Sequence, residues 1–527
     1  MRRAAAIVVL LSLTGAAAGE QRFSVPKLGP DYTAPQTQKP PPRSAVKEYL
    51  DVGLLVVALA AMSCLALRRR SRIGVVIVTV LSLAYFGFYR KGCVCPVGAI
   101  QNVCPVFDVE ARVTGDAEAA KRLGVDPTAA REAFHAGLDR LEGAESAGDT
   151  LDVTFAMSRN NKLALVEIGR TLIRPEAEDA SPVQLERLLR VEMSPNLRFA
   201  TGVPLVVIAF FALPLVFTLF FGRTFCAGVC PLGAIQDLVV LYPLRVPAAV
   251  EHGLGLVVYV YLAGAVLFAA TGTGYLICRY DPFVSLFRLS GPAVMIAIGL
   301  GLLLVGTVLA RPYCRFLCPY GAILRPLSYV SHRHVKITPD ECVRCRLCED
   351  SCPFGAIRPS NVDTPPPPRR YGKALLVGLL LTAPALGVAG GLLGRSLSGP
   401  LSGLHHTVKV AEQIRGEAIR NEQLRAAGQA ELPPQTDETE AFAESRVPPR
   451  LLYQEAFAVR DSFRLAGTVL GAFLGLVIAG KLISLSIRRR REDYEPDRAK
   501  CLSCARCFSY CPVERKRRKS AHGEDNQ

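Results

Sequence analysis

The sequence predicts a mainly α, polytopic transmembrane helical bundle of about seven spans, preceded by a signal peptide and carrying small cysteine-rich modules on its cytoplasmic side. Three observations lead there. Half of the 527 residues are hydrophobic and mean hydropathy is +0.27, which is high for a soluble protein. Seven apolar runs approach or exceed the length needed to cross roughly 30 Å of hydrocarbon. The 17 cysteines fall mostly in C-x2-C and C-x3-C-P spacings, which suit metal clusters better than the disulfide frameworks of small secreted domains. The net charge of +16 does not point to nucleic acid, because Lys and Arg gather beside the apolar runs, where they set membrane orientation.

At the N-terminus, Arg2 and Arg3 precede an apolar run, Ala4–Leu13, and the small residues Ala16 to Ala18. This reads as a secretory signal peptide over 1–19. Residues 20–47 are Pro-rich and predict an extended extracytoplasmic linker. Region 48–104 holds two spans, Tyr49–Leu67 and Ile73–Tyr89, and region 199–330 three more, Phe199–Phe221, Leu254–Thr271 and Pro292–Ala310. The sixth and seventh are expected at 374–393 and 465–487. Arg68 to Arg70 with Arg72, then Arg369-Arg370, then Arg488 to Arg491 all become cytoplasmic in one topology, with the N-terminus outside and the C-terminus inside. Two large connections then lie outside. The first, 105–198, is expected to be mostly helical, with Asp126 and Pro127 opening one helix and LDVTFAMS alternating like a short strand. The second, 395–464, is expected to be helical. Neither carries a nucleotide-binding glycine loop, a catalytic Ser or Cys constellation, or a haem-attachment motif. His405-His406 beside the sixth span could meet a metal or a quinone headgroup, although such pairs commonly sit in a wet interface.

The chemistry resides in the thiols. Cys342, Cys345, Cys348 and Cys352, followed by Pro353, have the C-x2-C-x2-C-x3-C-P spacing of a bacterial ferredoxin run, a 4Fe-4S site within the module 331–362. A second such run, Cys501, Cys504, Cys507 and Cys511, lies in the module 492–520. In two-cluster ferredoxins the fourth cysteine of each run ligates the other cluster, so Cys511 is expected with Cys342, Cys345 and Cys348, and Cys352 with Cys501, Cys504 and Cys507. The turn closing the first run also recurs as CPVGAI at Cys95–Ile100, CPLGAI at Cys230–Ile235, CPYGAI at Cys318–Ile323 and CPFGAI at Cys352–Ile357. Cys226, Cys230, Cys314 and Cys318 arrive in two pairs at the inner face, and together they make a third candidate cluster site. Cys93, Cys95, Cys104 and Cys278 fall on the outer side as a fourth, with disulfides as the rival there. Cys64, within the first span, reads as a small buried residue.

With these motifs assembled, the chain resembles the membrane-bound 4Fe-4S polyferredoxins of the NosR/NapH type. CAGVCPLGAIQD and CRFLCPYGAIL look like that group's two C-x3-C-P motifs, and Cys342–Cys352 looks like its ferredoxin domain. The resemblance implies a multi-pass protein of the bacterial inner membrane that passes single electrons between a cytoplasmic or quinone-pool donor and an extracytoplasmic respiratory or maturation partner. Membrane lipid, redox proteins and quinone are the expected partners, and the chain is expected to act as an electron-transfer component rather than a stand-alone catalyst. Two alternatives stay open: an assembly factor reducing a metal for a respiratory metalloenzyme, and a redox sensor. The chain departs from NosR in having no region before the first span large enough for a flavin domain.

Overall fold

The computed structural model describes residues 44–92, 96–115, 145–146, 152–156, 189–198, 203–244, 246–337, 342–362, 368–428, 436–444, 449–487 and 490–517. Its first two spans are α1, Ala45–Ser63, and α2, Arg72–Ser82, each continuing through a wide π-type turn, to Arg68 and Tyr89 respectively. Together these reach 24 and 18 residues, and the second is therefore only just long enough to cross. A buried stripe on α1, Leu55, Leu59 and Met62, runs on to Ala66 and faces the bundle. Cys64 lies off that stripe and is exposed, which corrects its reading as a buried residue. A short helix, α3 (Pro96–Val103), then carries the first CPxGAI motif back into the core.

The insert at 105–198 follows, and its described part is a sheet rather than helix. Strands β1 (Val106–Gly115), β2 (Glu145–Ser146), β3 (Asp152–Ala156) and β4 (Leu189–Arg198) form one antiparallel sheet in the order β2-β3-β1-β4. Glu110 pairs with Ala156 on one side and Ser194 on the other. The alternation of LDVTFAMS thus appears as β3, whereas the helix expected after Asp126 lies outside the described residues, as does the signal peptide.

Two of the next three expected spans take a different form. Helix α4, Leu205–Phe221, has 17 residues, about 26 Å at 1.5 Å per residue. The short helix α5, Pro231–Leu238, follows it, and α6, Ala248–Ala270, crosses as a regular span. Beyond it come α7 (Leu276–Tyr280), α8 (Pro282–Arg288) and α9 (Ala293–Gly306), with a 103° bend between α8 and α9. The run expected to cross as Pro292–Ala310 is a helix of only 14 residues, about 21 Å long. Gly291, at φ +123°, makes the bend just before it, where a side chain would be strained. Among the described residues five helices are long and apolar enough to cross, or six with the bent pair as one, so two of the seven expected spans are shortened or bent.

After two short helices, α10 (Pro312–Phe316) and α11 (Pro319–Tyr329), the first ferredoxin run carries α12 (Leu347–Asp350) and β5 (Ile357–Arg358). The long helices α13 (Arg369–Ser402) and α16 (Pro449–Ser486) pack along each other. Between them lie α14 (His406–Ala426) and α15 (Asp437–Glu444). Their contact is made by backbone. A Cβ on Gly390 or Gly394 would strike the carbonyl of Gly471 or Gly467, so Gly467-x3-Gly471-x3-Gly475 acts as a small-residue seam of the kind that draws membrane helices together. The outer half of α16 buries Leu452, Ala456, Val459 and Phe463 against α14 and against Phe107 and Val109 of β1. His405 is the N-cap of α14, its Nδ1 accepting from Thr407 N at 3.3 Å. The chain ends with β6 (Glu495–Pro496) and α17 (Arg506–Tyr510).

Candidate iron–sulfur sites

The two ferredoxin runs, about 150 residues apart in sequence, form one module. Strand β5 pairs antiparallel with β6, Ile357 opposite Pro496, and Asp497 N donates to Ala356 O at 2.6 Å. Within each run the backbone takes the left-handed conformation at the same two places. These are Arg344 and Arg346 around Cys345, and Ser503 and Ala505 around Cys504. Four non-glycine residues in that region are costly individually, and their repetition marks one loop design that folds three thiols around a common centre.

The thiols line two small cavities, and they do so crosswise. Cys342, Cys345 and Cys348 share one with Cys511. Cys501, Cys504 and Cys507 share the other with Cys352. Burial pushes the Cys501 thiol up to about 12 and the Cys348 thiol to about 11, and their neighbouring thiols push in the same direction. Sulfurs in that setting ionise together only around a multivalent cation. Among the described residues no three His, Cys, Asp or Glu side chains converge as they would on one ion. Four thiols lining each cavity are the ligand set of a 4Fe-4S cluster.

At the junction of module and membrane, Cys226 lies in a π-type turn, Phe225–Val229, and Cys230 is the extended N-cap of α5, with Pro231 at its first position. Cys318 caps α11 in the same way, ahead of Pro319, and its Sγ accepts from Gly321 N at 3.4 Å. Cys314 lies on α10, where burial pushes its thiol up to about 11. All four pack in the principal apolar core. Electrostatic interaction of Cys318 with Cys226, Cys230 and Cys314 places them around one centre. Gln236 Nε2 donates to Cys314 Sγ at 3.3 Å while its Oε1 accepts from Tyr313 N at 3.2 Å.

One buried cation joins this centre to the module. Arg311 is 1% exposed, donates to the carbonyls of Cys226 and Ala227, and lies over the Phe354 ring at 5.4 Å. Its charge interacts with Cys226, Cys314 and Cys504. Asp237 supplies the counter-charge, at 2.7 Å from Arg72, 3.3 Å from Arg311 and 3.6 Å from Arg506. Burial alone would raise the Asp237 carboxyl, but the three guanidiniums hold it at about 2. Arg72 also donates to Cys504 O at 3.0 Å, and Arg70 pairs with Glu514 at 2.7 Å. The arginines of the first connection therefore seat the second ferredoxin run.

The expected outer group is only partly visible, because Cys93 and Cys95 lie outside the described residues. Cys278 approaches α3 closely enough that a Cβ on Gly98 would stand 3.3 Å from its Sγ. Gln101 Oε1 accepts from Ile277 N at 3.1 Å and Cys278 N at 3.4 Å, and the buried Cys104 donates to Gln101 O at 3.3 Å. Gln101 follows Cys95 by the same six positions by which Gln236 follows Cys230, and each grips the backbone beside a partner cysteine. The glutamine in CPVGAIQ and CPLGAIQ is a functional signal that the cysteine spacing alone leaves out.

Comparison with known proteins finds 4Fe-4S domains in the chain. Residues 203–246 and 291–338 match a 4Fe-4S binding domain, and residues 335–358 match a second model also described as a 4Fe-4S binding domain. The chain is 32% identical over 156 residues to Protein NirI of Paracoccus denitrificans, covering 27% of this chain and 23% of that protein. It is 26% identical over 168 residues to the Putative electron transport protein YccM of Escherichia coli K12, covering 28% and 45%. It is 31% identical over 164 residues to Regulatory protein NosR of Pseudomonas aeruginosa, covering 27% and 22%. The matched stretch thus spans less than half the length of each of these relatives. No solved structure matches the chain.

Proposed function

We propose that this membrane protein, whose iron–sulfur core is of the NosR/NapH type, is an inner-membrane electron conduit with four 4Fe-4S sites in a row. The bound clusters would supply single-electron storage; the chain's own residues set their order and surroundings. The crosswise grouping of Cys511 with Cys342, Cys345 and Cys348, and of Cys352 with Cys501, Cys504 and Cys507, is the observation that carries the reading. Because each run lends its last thiol to the other, the two centres are held at a fixed separation by the protein backbone.

From the module the row continues past Arg311 to Cys226, Cys230, Cys314 and Cys318. A fourth site takes Cys93, Cys95, Cys104 and Cys278. Gln101 supports it: its Nε2 is buried with no partner among the described residues, whereas the corresponding amide of Gln236 donates to a thiol. The last two sites approach each other. Tyr313 OH donates to Asp281 at 3.0 Å, and Tyr261 lies in electrostatic range of Cys318 on one side and Cys278 on the other. Cytoplasmic reducing equivalents or quinol would enter at the module, whose position on the inner side is supported by the arginine distribution, and leave toward an extracytoplasmic respiratory or maturation partner.

The test is iron content and electron paramagnetic resonance of anaerobically purified protein. The expected content is about sixteen irons, four per cubane. Cys511→Ser should alter the centre ringed by Cys342 and leave that ringed by Cys501, although Cys511 belongs to the latter's run. The reverse pattern would overturn the crosswise assignment. Cys278→Ser should remove about four irons; full iron content, with Cys104 recovered in a disulfide in the parent, would confine the row to the module and the Cys226 site.

A further inference from the structure

Where the module meets the membrane, a cavity of about 920 Å³ opens between the start of α6, the end of α16 and the loops around Cys314 and Cys501. Cys314 and Arg311 of the proposed electron path form only part of its lining, and its size is at the upper end for small-molecule sites. Nine Lys and Arg side chains line it against two carboxylates, Glu251 and Asp497. Those two are already engaged: Glu251 with Arg315 and Lys500 at 2.9 Å each, and Asp497 with Arg358.

Arg223, Arg325, Lys481 and Arg490 have no carboxylate within ion-pair distance among the described residues. Two lining guanidiniums, on Arg223 and Arg311, keep a buried Nε with no hydrogen-bond partner, and so does the ring Nδ1 of His252. Burial first and the charge of Arg223 second push the Arg325 guanidinium below its ordinary range. An excess of cations with buried donors to spare costs free energy unless an anion enters.

The rim is different in character. Leu485 and Ile487 at the end of α16 are about half exposed, as is Tyr329, and Leu482 and Ile478 continue the exposed apolar strip along α16. Cationic depth with an apolar flank toward the hydrocarbon suits an amphiphile. We infer that this cavity is a binding site for a phosphate-bearing anion, and that the phosphodiester headgroup of an acidic phospholipid occupies it with its acyl chains along the outer face of α16. Guanidiniums bind phosphate oxygens in bidentate fashion, and basic pockets between helices at a cytoplasmic face are suited to such headgroups.

Cys314 of the third candidate centre lines one wall of this cavity, but the proposed contacts to the anion are made by the cationic side chains, and the test reads bound lipid rather than iron. The full-length protein, purified in neutral detergent, is presented with phosphatidylglycerol, phosphatidylcholine and soluble glycerol phosphate, and bound ligand is counted by native mass spectrometry across a salt series. Phosphatidylglycerol should be retained over phosphatidylcholine and released by salt. Lys481→Gln with Arg490→Gln should weaken retention roughly 30-fold, whereas Lys409→Gln on α14 should not change it. Binding of glycerol phosphate as tightly as the lipid would keep the phosphate site and assign it to a soluble ligand. Equal retention of both lipids, or unchanged retention in the double variant, would overturn the proposal.

Discussion

Asp237→Asn tests the electrostatic joint between module and membrane. The carboxylate is 3% exposed and faces Arg72, Arg311 and Arg506. A carboxyl held at about 2 rather than 3.8 contributes about 2 kcal/mol of folding stability at neutral pH. Because the folded value is the lower one, that contribution is complete above about pH 4 and is lost as pH falls toward 2. The asparagine removes it at every pH and also leaves Arg311 buried without its counter-charge, so the expected loss is about 3–5 kcal/mol. Arg72, released from Asp237, also loosens from Cys504 O, and the Cys501 centre should lose iron before the Cys342 centre. Denaturation in detergent micelles, followed by far-UV circular dichroism and cluster absorbance, measures both. A loss below about 1 kcal/mol, with both centres equally loaded, would refute the view that Asp237 carries the joint.

Further outcomes follow from single contacts. Gln236→Leu removes the amide hydrogen bond to Cys314 Sγ. An N–H donor to a ligating sulfur favours the more negative, reduced form, and a preference of about 1 kcal/mol corresponds to roughly 40 mV for one electron, so the potential of that centre should fall by that order in an anaerobic potentiometric titration; an unchanged midpoint contradicts the contact. Gly471→Leu drives a side chain into the Gly390 carbonyl and should destabilise the α13–α16 pair by about 1–3 kcal/mol, seen as faster proteolysis of the 403–448 connection, while Gly480→Leu, with open space around it, should not. Gln101→Leu should lower the iron content of the outer site without touching the ferredoxin signals, and full iron would remove Gln101 from that site.

What the sequence makes legible here is what has a short repeat. Hydropathy finds every apolar helix, because burial in lipid requires a continuous run. Cysteine spacing groups the thiols of each ferredoxin run, because a cubane imposes loop lengths. The exceptions have long-range causes. The bend before α9 depends on one glycine and on how α8 packs, which hydropathy does not register. The strand β1 is legible only with β4, some eighty residues away, so the insert's charged helical patterns dominate the reading. The glycine seam of α13 and α16 is written as Gly467-x3-Gly471-x3-Gly475 but competes with 44 glycines in the chain. Arg311 has no motif at all. Its importance comes from lying between Cys226 and Cys504, residues that folding alone brings together.

That last contact also explains why one turn is used repeatedly. In CPLGAI and CPYGAI the cysteine ends an extended segment, the proline fixes the first helical residue, and the glycine lets the preceding chain approach. A Cβ on Gly233 would meet Cys226 O at 3.0 Å, and one on Gly321 would meet Cys314 O at 3.5 Å. Each copy therefore closes on the residue four positions before its own cysteine, which delivers two thiols to one side of a short helix. Two thiols cannot complete a cubane, so such a unit requires a second, and the bundle supplies it by packing α5 and α11 around the same core. On the proposed assignment, half-sites that pair across helices would make cluster loading dependent on correct helix packing, whereas the ferredoxin runs would meet the same demand by exchanging their fourth cysteines. In both cases the centre belongs to the assembled fold and not to any single stretch of sequence.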